Sequence, residues 1–299
     1  MALGLNIIIK SQARITPIII NNHTMEIRIE NELYTGSNGR KSFFDLHIPE
    51  KFNGKLVVFV HGYKGFKDWG AWNLVDFEFT YAGFGFAKFN LSHNGANQIY
   101  AKDFPDLEAF SRNTYTKELD DIGFFLNHLQ SLDIPTHSIH VIGHSRGGGV
   151  ALLAAAEMVK IESVTTWAAI CDIEKRFPTG DKLKQWQQDG VRFELNTRTQ
   201  QEMPIAYAIY EDFIAHQHRL NIQKACEQIK IPRMILHGSA DEAVSIEDGK
   251  QLSDWLHVPL FEIPDANHTF GAVHPFTEYK LPADLKTIVK LTMNFVGNL

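Results

Sequence analysis

Cysteine is scarce in this 299-residue chain, with Cys171 and Cys226 the only two. Two thiols so placed make neither a disulfide framework nor a metal-ligand spacing. They read as buried thiols in a reducing compartment. Basic clusters are lacking too: 29 Lys and Arg against 35 Asp and Glu leave a net charge of −6. That balance argues against nucleic acid as a partner. No apolar run reaches the length of a membrane span, so no membrane partner is expected. Residues 1–9 are apolar but carry no basic n-region, and Lys10 cuts them short. They make a poor signal peptide, and a cytoplasmic location is expected. Internal repeats and low-complexity tracts are also absent. What remains is an ordinary globular composition, 44% hydrophobic and 21% charged, at a length that allows a sizeable core.

Against that plain background one stretch stands out, Gly143-His144-Ser145-Arg146-Gly147. The β-branched run Ser138-Ile139-His140-Val141-Ile142 precedes it. Small and apolar residues at helical spacing follow it, from Gly148 to Val159. The stretch is therefore a strand, a sharp turn and a helix start. Such a turn forces its middle residue into a strained conformation and pushes the side chain outward. The Ser145 hydroxyl then sits at a helix N-terminus, where partial positive charge favours a developing anion. The plainer reading of Ser145 is a helix N-cap.

The chain around it alternates strands with helices. Residues 25–30 and 42–48 read as extended, separated by a turn at residues 34–39, and form an antiparallel edge. Residues 55–60 are a nearly continuous apolar run, the mark of a strand buried on both faces. A helix is predicted over 69–82, a strand over 86–91, and a helix over 114–130. After the helix that follows Ser145, strands are predicted over 164–170, 232–237 and 260–264. Helices are predicted over 245–255 and 283–299. This order predicts an α/β fold, a mostly parallel twisted sheet with helices on both faces. One such domain spans residues 25–299, and residues 1–24 form an N-terminal extension that the pattern does not place. Residues 172–229 break the rhythm. They are too long for a plain connection, and their apolar residues can pack, so they are expected to form a partly helical cap. Tyr207 and Tyr210 from that insertion, with Asn94, Phe104 and Phe110 from loop 92–113, are predicted to line an apolar substrate pocket. The opposing reading makes the insertion a buttress on the sheet flank.

A serine hydroxyl is a weak nucleophile and needs a base, an orienting acid and two oxyanion donors. Each belongs on a loop at the carboxyl end of a strand. The loop after the last strand offers His268 as base, with His274 as the nearby competitor. The loop after strand 232–237 offers Asp241 as acid. Its competitors are Asp265 and a purely structural role for Asp241 or Glu242 in capping the next helix. The oxyanion donors are the backbone N–H of Arg146 and that of Tyr63, after the turn His61-Gly62, with His61 beside the substrate. His216 and His218 lack an obvious third ligand, and no metal or other cofactor is implied.

The chain order Ser145, Asp241, His268, with His61-Gly62 upstream, resembles the α/β-hydrolase fold. The phrase His237-Gly238-Ser239-Ala240-Asp241-Glu242-Ala243-Val244 is similar to the dienelactone hydrolase, prolyl oligopeptidase-like and cinnamoyl esterase branch. The resemblance covers about residues 40–299. It implies a serine hydrolase with a small-molecule ester as substrate. It departs from dienelactone hydrolases proper, which use a cysteine nucleophile, and from true prolyl oligopeptidases, whose β-propeller this chain lacks. Peptide, acyl-aminoacyl or thioester hydrolysis on the same residues is the rival reaction, and a non-catalytic ligand-binding member of the fold is the rival class.

Overall fold

The computed structural model describes residues 18–20 and 24–299. The possible leader at residues 1–9 lies outside the described residues. Three strands come first: β1 (Ile18–Ile20), β2 (Thr24–Thr35) and β3 (Lys41–Ile48). Strands and helices then alternate through β4 (Lys55–Val60), α1 (Trp72–Tyr81), β5 (Gly85–Phe89), α2 (Leu107–Ser111), α3 (Tyr115–Gln130), β6 (Ser138–His144), α4 (Arg146–Glu157) and β7 (Ile161–Trp167). An insertion follows, made of α5 (Asp181–Asp189), β8 (Val191–Asn196), β9 (Gln201–Ala206), α6 (Ala208–Ala215) and α7 (Ile222–Gln228). The alternation closes with β10 (Arg233–Gly238), α8 (Ile246–Leu256), β11 (Leu260–Ile263) and α9 (Ala283–Gly297).

Among the described residues one nine-stranded sheet runs in the order β1-β2-β3-β5-β4-β6-β7-β10-β11. Pairing is parallel from β5 across to β11. It is antiparallel between β1, β2, β3 and β5, the edge that the alternating N-terminal strands predict. The unbroken apolar run of β4 follows from its central place, because both of its faces are covered. Leu56, Val58 and Val60 enter one core with α3, α4 and α8. Val57 and Phe59 enter the other with α1 and α9. Right-handed crossovers between parallel strands bring their carboxyl ends to one side. The loops after β4, β6, β10 and β11 meet there.

Two segments differ from the sequence expectation. The strand predicted over 164–170 is Ile161–Trp167. Ala168, at φ 51°, turns the chain away from the sheet, and the Ile170 N–H then donates to the Ser145 carbonyl at 3.3 Å. The insertion holds an antiparallel hairpin, β8 with β9, besides its helices. Its strand pattern is inverted: Phe193 and Leu195 are about half exposed, while Arg192 and Glu194 border a cavity. Helix α7 packs on α4 and α8, so it belongs to the helical layer and not to the part of the insertion near Ser145.

The loop after β4 is held from beneath by a buried ion quartet. Lys67 Nζ lies 2.7 Å from Asp45 Oδ2 and 2.7 Å from Asp68 Oδ2. Lys88 Nζ lies 2.6 Å from Asp68 Oδ1 and also bonds Asp45. None of the four side chains is more than 6% exposed. Burial pushes the Asp45 carboxyl up, but Lys88 and Lys67 outweigh it and leave it at about 2. Breaking such a set strands a charge in low dielectric. Lys88→Met, which leaves two carboxylates to one ammonium, is expected to destabilise the fold by about 3–5 kcal/mol. Urea unfolding checks this, and a loss under about 1 kcal/mol, typical of exposed pairs, would contradict it.

Candidate active site

Ser145 stands just before α4 with φ 57° and ψ −123°, and its hydroxyl makes no capping hydrogen bond. Such a conformation costs a non-glycine residue free energy unless its surroundings hold it. They do so through the backbone. The Ser145 N–H donates to the Trp167 carbonyl at 2.9 Å, and the Ser145 carbonyl accepts from Gly148 N–H at 3.0 Å. The two glycines of the motif are required by contact. A Cβ on Gly143 would stand 2.4 Å from the Gly147 carbonyl oxygen, and one on Gly147 would stand 2.3 Å from the carbonyl oxygen of His61. A Cβ on Gly62 would come within 2.9 Å of the Ser145 Cβ. The loop after β4 therefore lies directly against the serine. Arg146 is the first residue of α4, so its N–H has no helical carbonyl to serve.

The loops after β10 and β11 bring the other two candidates together. His268 Nδ1 and Asp241 Oδ2 are 2.8 Å apart. The Asp241 side chain is fully buried, that of His268 21% exposed. Asp241 Oδ1 accepts from the N–H groups of Ala243 at 2.9 Å and Val244 at 2.8 Å, and Oδ2 has His237 Nε2 at 3.3 Å. Burial alone would raise the Asp241 pKa. Hydrogen bonds from His237, His268 and Val244 outweigh it and hold the carboxyl well below the usual range. Asp241 is thus ionised beside the imidazole. The competitors lie elsewhere: His274 Nδ1 accepts from Gly70 N–H at 2.8 Å, and Asp265 and Glu242 are exposed.

Two histidines that sequence reasoning passed over support this pair. His144 is buried beside Ser145, with Nε2 2.9 Å from the His268 carbonyl and its ring 4.8 Å from the His268 ring. Burial and the neighbouring His268 push its pKa down to about 3, so it is neutral and Nε2–H donates. His237 reaches the Val244 carbonyl at 2.9 Å. The signal for both lay in their places, one before Ser145 and one at the end of β10.

Ser145 and His268 both border two cavities. The larger, about 360 Å³, is walled by Tyr63, Phe110, Tyr115, Phe177, Trp186 and Ile205, with Arg146, Arg176, Arg192 and Glu194 among them. The smaller, about 230 Å³, has Trp69, Trp72, Asn196 and Arg198 on its walls. Tyr63 also borders both. Of the residues predicted to line the substrate pocket, Phe110 borders the larger cavity. His61 does not: it is buried, with Nδ1 on the Gly62 carbonyl at 2.9 Å and Nε2 accepting from Leu91 N–H at 3.1 Å. Asn94 is spent between two loops, accepting from Ala96 N–H at 3.0 Å and donating to the Gly65 carbonyl at 3.3 Å. Phe104 lies behind Phe110 at 5.8 Å. Tyr207 and Tyr210 pack behind Trp186, at 5.3 and 6.4 Å. Of the rings expected at the pocket, Phe104, Tyr207 and Tyr210 therefore form an outer layer, and Phe110, Phe177 and Trp186 hold the inner one. The pocket is also less apolar than its sequence suggested, because the inverted strand β8 turns Arg192 and Glu194 toward it. Among the described residues no group of three or more His, Cys, Asp or Glu is placed to hold a metal ion, and no helix is long and apolar enough to cross a membrane.

The profile of the alpha/beta hydrolase family matches residues 57–279. The chain belongs to that family. Solved structures similar to this α/β-hydrolase include Est1E from Butyrivibrio proteoclasticus with ferulic acid bound. It is 18% identical over 89% of this chain and 98% of its own, with a TM-score of 0.69. The esterase domain of a Rhodothermus marinus protein is 17% identical over 89% and 97%, with a TM-score of 0.60. The alpha/beta hydrolase GrgF from Penicillium sp. sh18 is 15% identical over 91% and 98%, with a TM-score of 0.68. At these identities the likeness is one of fold. No curated protein sequence matches the chain.

The buried histidines set an acid limit on this α/β-hydrolase. Burial lowers the pKa of His61 to about 4 and of His144 to about 3, whereas the unfolded chain protonates histidine near about 6.5. Below that value the unfolded state binds more protons, so stability falls as pH drops toward 4. Each group contributes a slope of up to about 1.4 kcal/mol per pH unit. Urea unfolding of wild type and His61→Gln between pH 7 and 4.5 should show the shallower slope in the variant. Parallel slopes would remove His61 from the account.

Proposed function

We propose that this α/β-hydrolase cleaves carboxylic esters through an acyl-enzyme on Ser145. His268 takes the hydroxyl proton at Nε2 as Ser145 Oγ attacks the ester carbonyl. The resulting imidazolium keeps Nδ1–H on Asp241, whose carboxylate fixes the tautomer and balances the charge. Backbone N–H groups of Arg146 and Tyr63 take the developing oxyanion. His268 then returns the proton to the leaving alcohol. A water deprotonated by His268 next attacks the acyl-enzyme, and the acid leaves with Ser145 restored.

The observation that carries this reading is the ionised, buried Asp241 at 2.8 Å from His268 Nδ1, on a loop that shares two cavities with a serine at a strained strand–helix turn. A non-catalytic member of the fold has no use for that set, since a buried carboxylate and a strained serine both cost stability. The likeness to the esterase domain from Rhodothermus marinus supports a carboxylic ester over an amide. Ser145→Ala is expected to lower kcat on 4-nitrophenyl esters by about 10⁴–10⁶-fold without unfolding the protein, and Asp241→Asn by about 10⁴-fold. A fluorophosphonate probe should label wild type and not Ser145→Ala. Ester turnover by Ser145→Ala at the wild-type rate would end the proposal.

A further inference from the structure

The larger cavity carries more positive charge than an apolar acyl pocket needs. Arg146, Arg176 and Arg192 border it, against the single carboxylate Glu194. Behind the walls, Arg146 meets Glu118 at 3.4 Å, Arg176 meets Asp248, and Arg192 meets Glu194 at 2.7 Å. Lys64 then shares Glu194 at 3.1 Å. Four cations thus divide three carboxylates. Burial pushes the Glu118 carboxyl up and so weakens its share of that compensation. Arg176 and Arg192 keep over a quarter of their side chains exposed, so the excess positive charge faces a partly enclosed, water-accessible cavity and favours an anion there.

Unpaired polar atoms gather behind the same walls. Twelve buried side-chain polar atoms lack a hydrogen-bond partner among the described residues. Four of them belong to residues that border this one cavity: Tyr115 Oη, Arg176 Nε, Arg192 Nε and Asn113 Oδ1. Three of those four carry a hydrogen to donate. Tyr115 is only 1% exposed, so its hydroxyl lies behind the wall and not on the cavity surface. The guanidinium of Arg146 is stacked between Tyr63 at 3.9 Å and Tyr115 at 4.7 Å, which fixes it as part of the wall. Arg176 and Arg192 keep donors to spare, and Arg192 lies over Trp186 at 4.8 Å. Strand β8 is inverted to bring Arg192 here, at the cost of exposing Phe193 and Leu195.

We propose that the part of the ester occupying this cavity bears a carboxylate, bound by the guanidinium groups of Arg176 and Arg192. The substrate class is then a half-ester of a dicarboxylic acid, or an ester of an alcohol or phenol that itself carries a carboxyl group. A planar carboxylate matches guanidinium donors. One surplus positive charge calls for a monoanion, which a phosphate dianion would overshoot. This inference rests on the esterase reading of Ser145 and His268.

Matched ester pairs test it. Mono-4-nitrophenyl glutarate, adipate and suberate are compared with 4-nitrophenyl pentanoate, hexanoate and octanoate. The reverse placement is covered by 4-acetoxybenzoate against phenyl acetate, and a neutral aromatic acyl group by 4-nitrophenyl 4-hydroxycinnamate. In at least one pair kcat/KM should favour the carboxylate ester by about tenfold or more. That ratio should fall by about tenfold in Arg192→Met and in Arg176→Met, through KM. Taking the ratio within each variant cancels any general loss of activity. If either variant fails to fold, the wild-type ratio and calorimetry decide. In calorimetry, Ser145→Ala should bind monophenyl adipate about tenfold more tightly than phenyl hexanoate, a readout that survives failure of the esterase reading. Neutral esters equal to or better than every carboxylate partner, or a ratio untouched by both arginine variants, would overturn the proposal.

Discussion

The site depends on a contact between two backbones. The carbonyl oxygen of His61 lies where the Cβ of any residue but glycine would stand at position 147. This contact fuses the turn after β6 with the loop after β4. Ser145 can then keep a strained backbone, because the neighbouring chain leaves it no room to relax. The same approach brings Gly62, one residue before the candidate oxyanion donor Tyr63, against Ser145. Small residues here are a packing requirement with a chemical result.

Buried polar groups then fix what backbone contact alone leaves free. The ion quartet of Asp45, Lys67, Asp68 and Lys88 ties the loop after β4 to β3 and β5. His61 adds a bond to the start of the next loop through Leu91 N–H. On the far side His144 holds the carbonyl of His268, and His237 closes on Val244 and Asp241. Every one of these groups is neutral by burial or paired, as interior groups must be. The candidate catalytic residues thus sit between two polar supports, one under the oxyanion loop and one under the base.

The insertion follows different rules. Its hairpin presents Arg192 and Glu194 inward and leaves Phe193 and Leu195 in solvent. A segment selected for stability alone would do the reverse. Trp186 anchors it through a bond from Nε1 to the Ile205 carbonyl at 2.9 Å. Asp212 accepts from Thr116 N–H at the start of α3, where the helix end favours a carboxylate. The cavity therefore combines aromatic walls with a surplus of guanidinium, and its chemistry is set by this insertion more than by the sheet.

Period and punctuation in the sequence were enough for the frame. The continuous apolar run of β4, the alternation of β2, the strand–turn–helix setting of Ser145 and the loops carrying Asp241 and His268 are local patterns. A buried strand, an edge strand and a tight turn each impose their own residue spacing. The pocket was not legible in that way. Tyr207 and Tyr210 have the same aromatic character as Trp186, and nothing local tells an inner ring from an outer one. His61 and Asn94 carry polar groups that could serve a substrate, but tertiary partners consume them. The hairpin escaped because a strand with its charged face inward breaks the rule by which strands are read. Which side chains meet in the cavity depends on how the insertion docks on α3 and on the loop after β5. That docking is decided by contacts between residues far apart in the chain, which no short window of sequence contains.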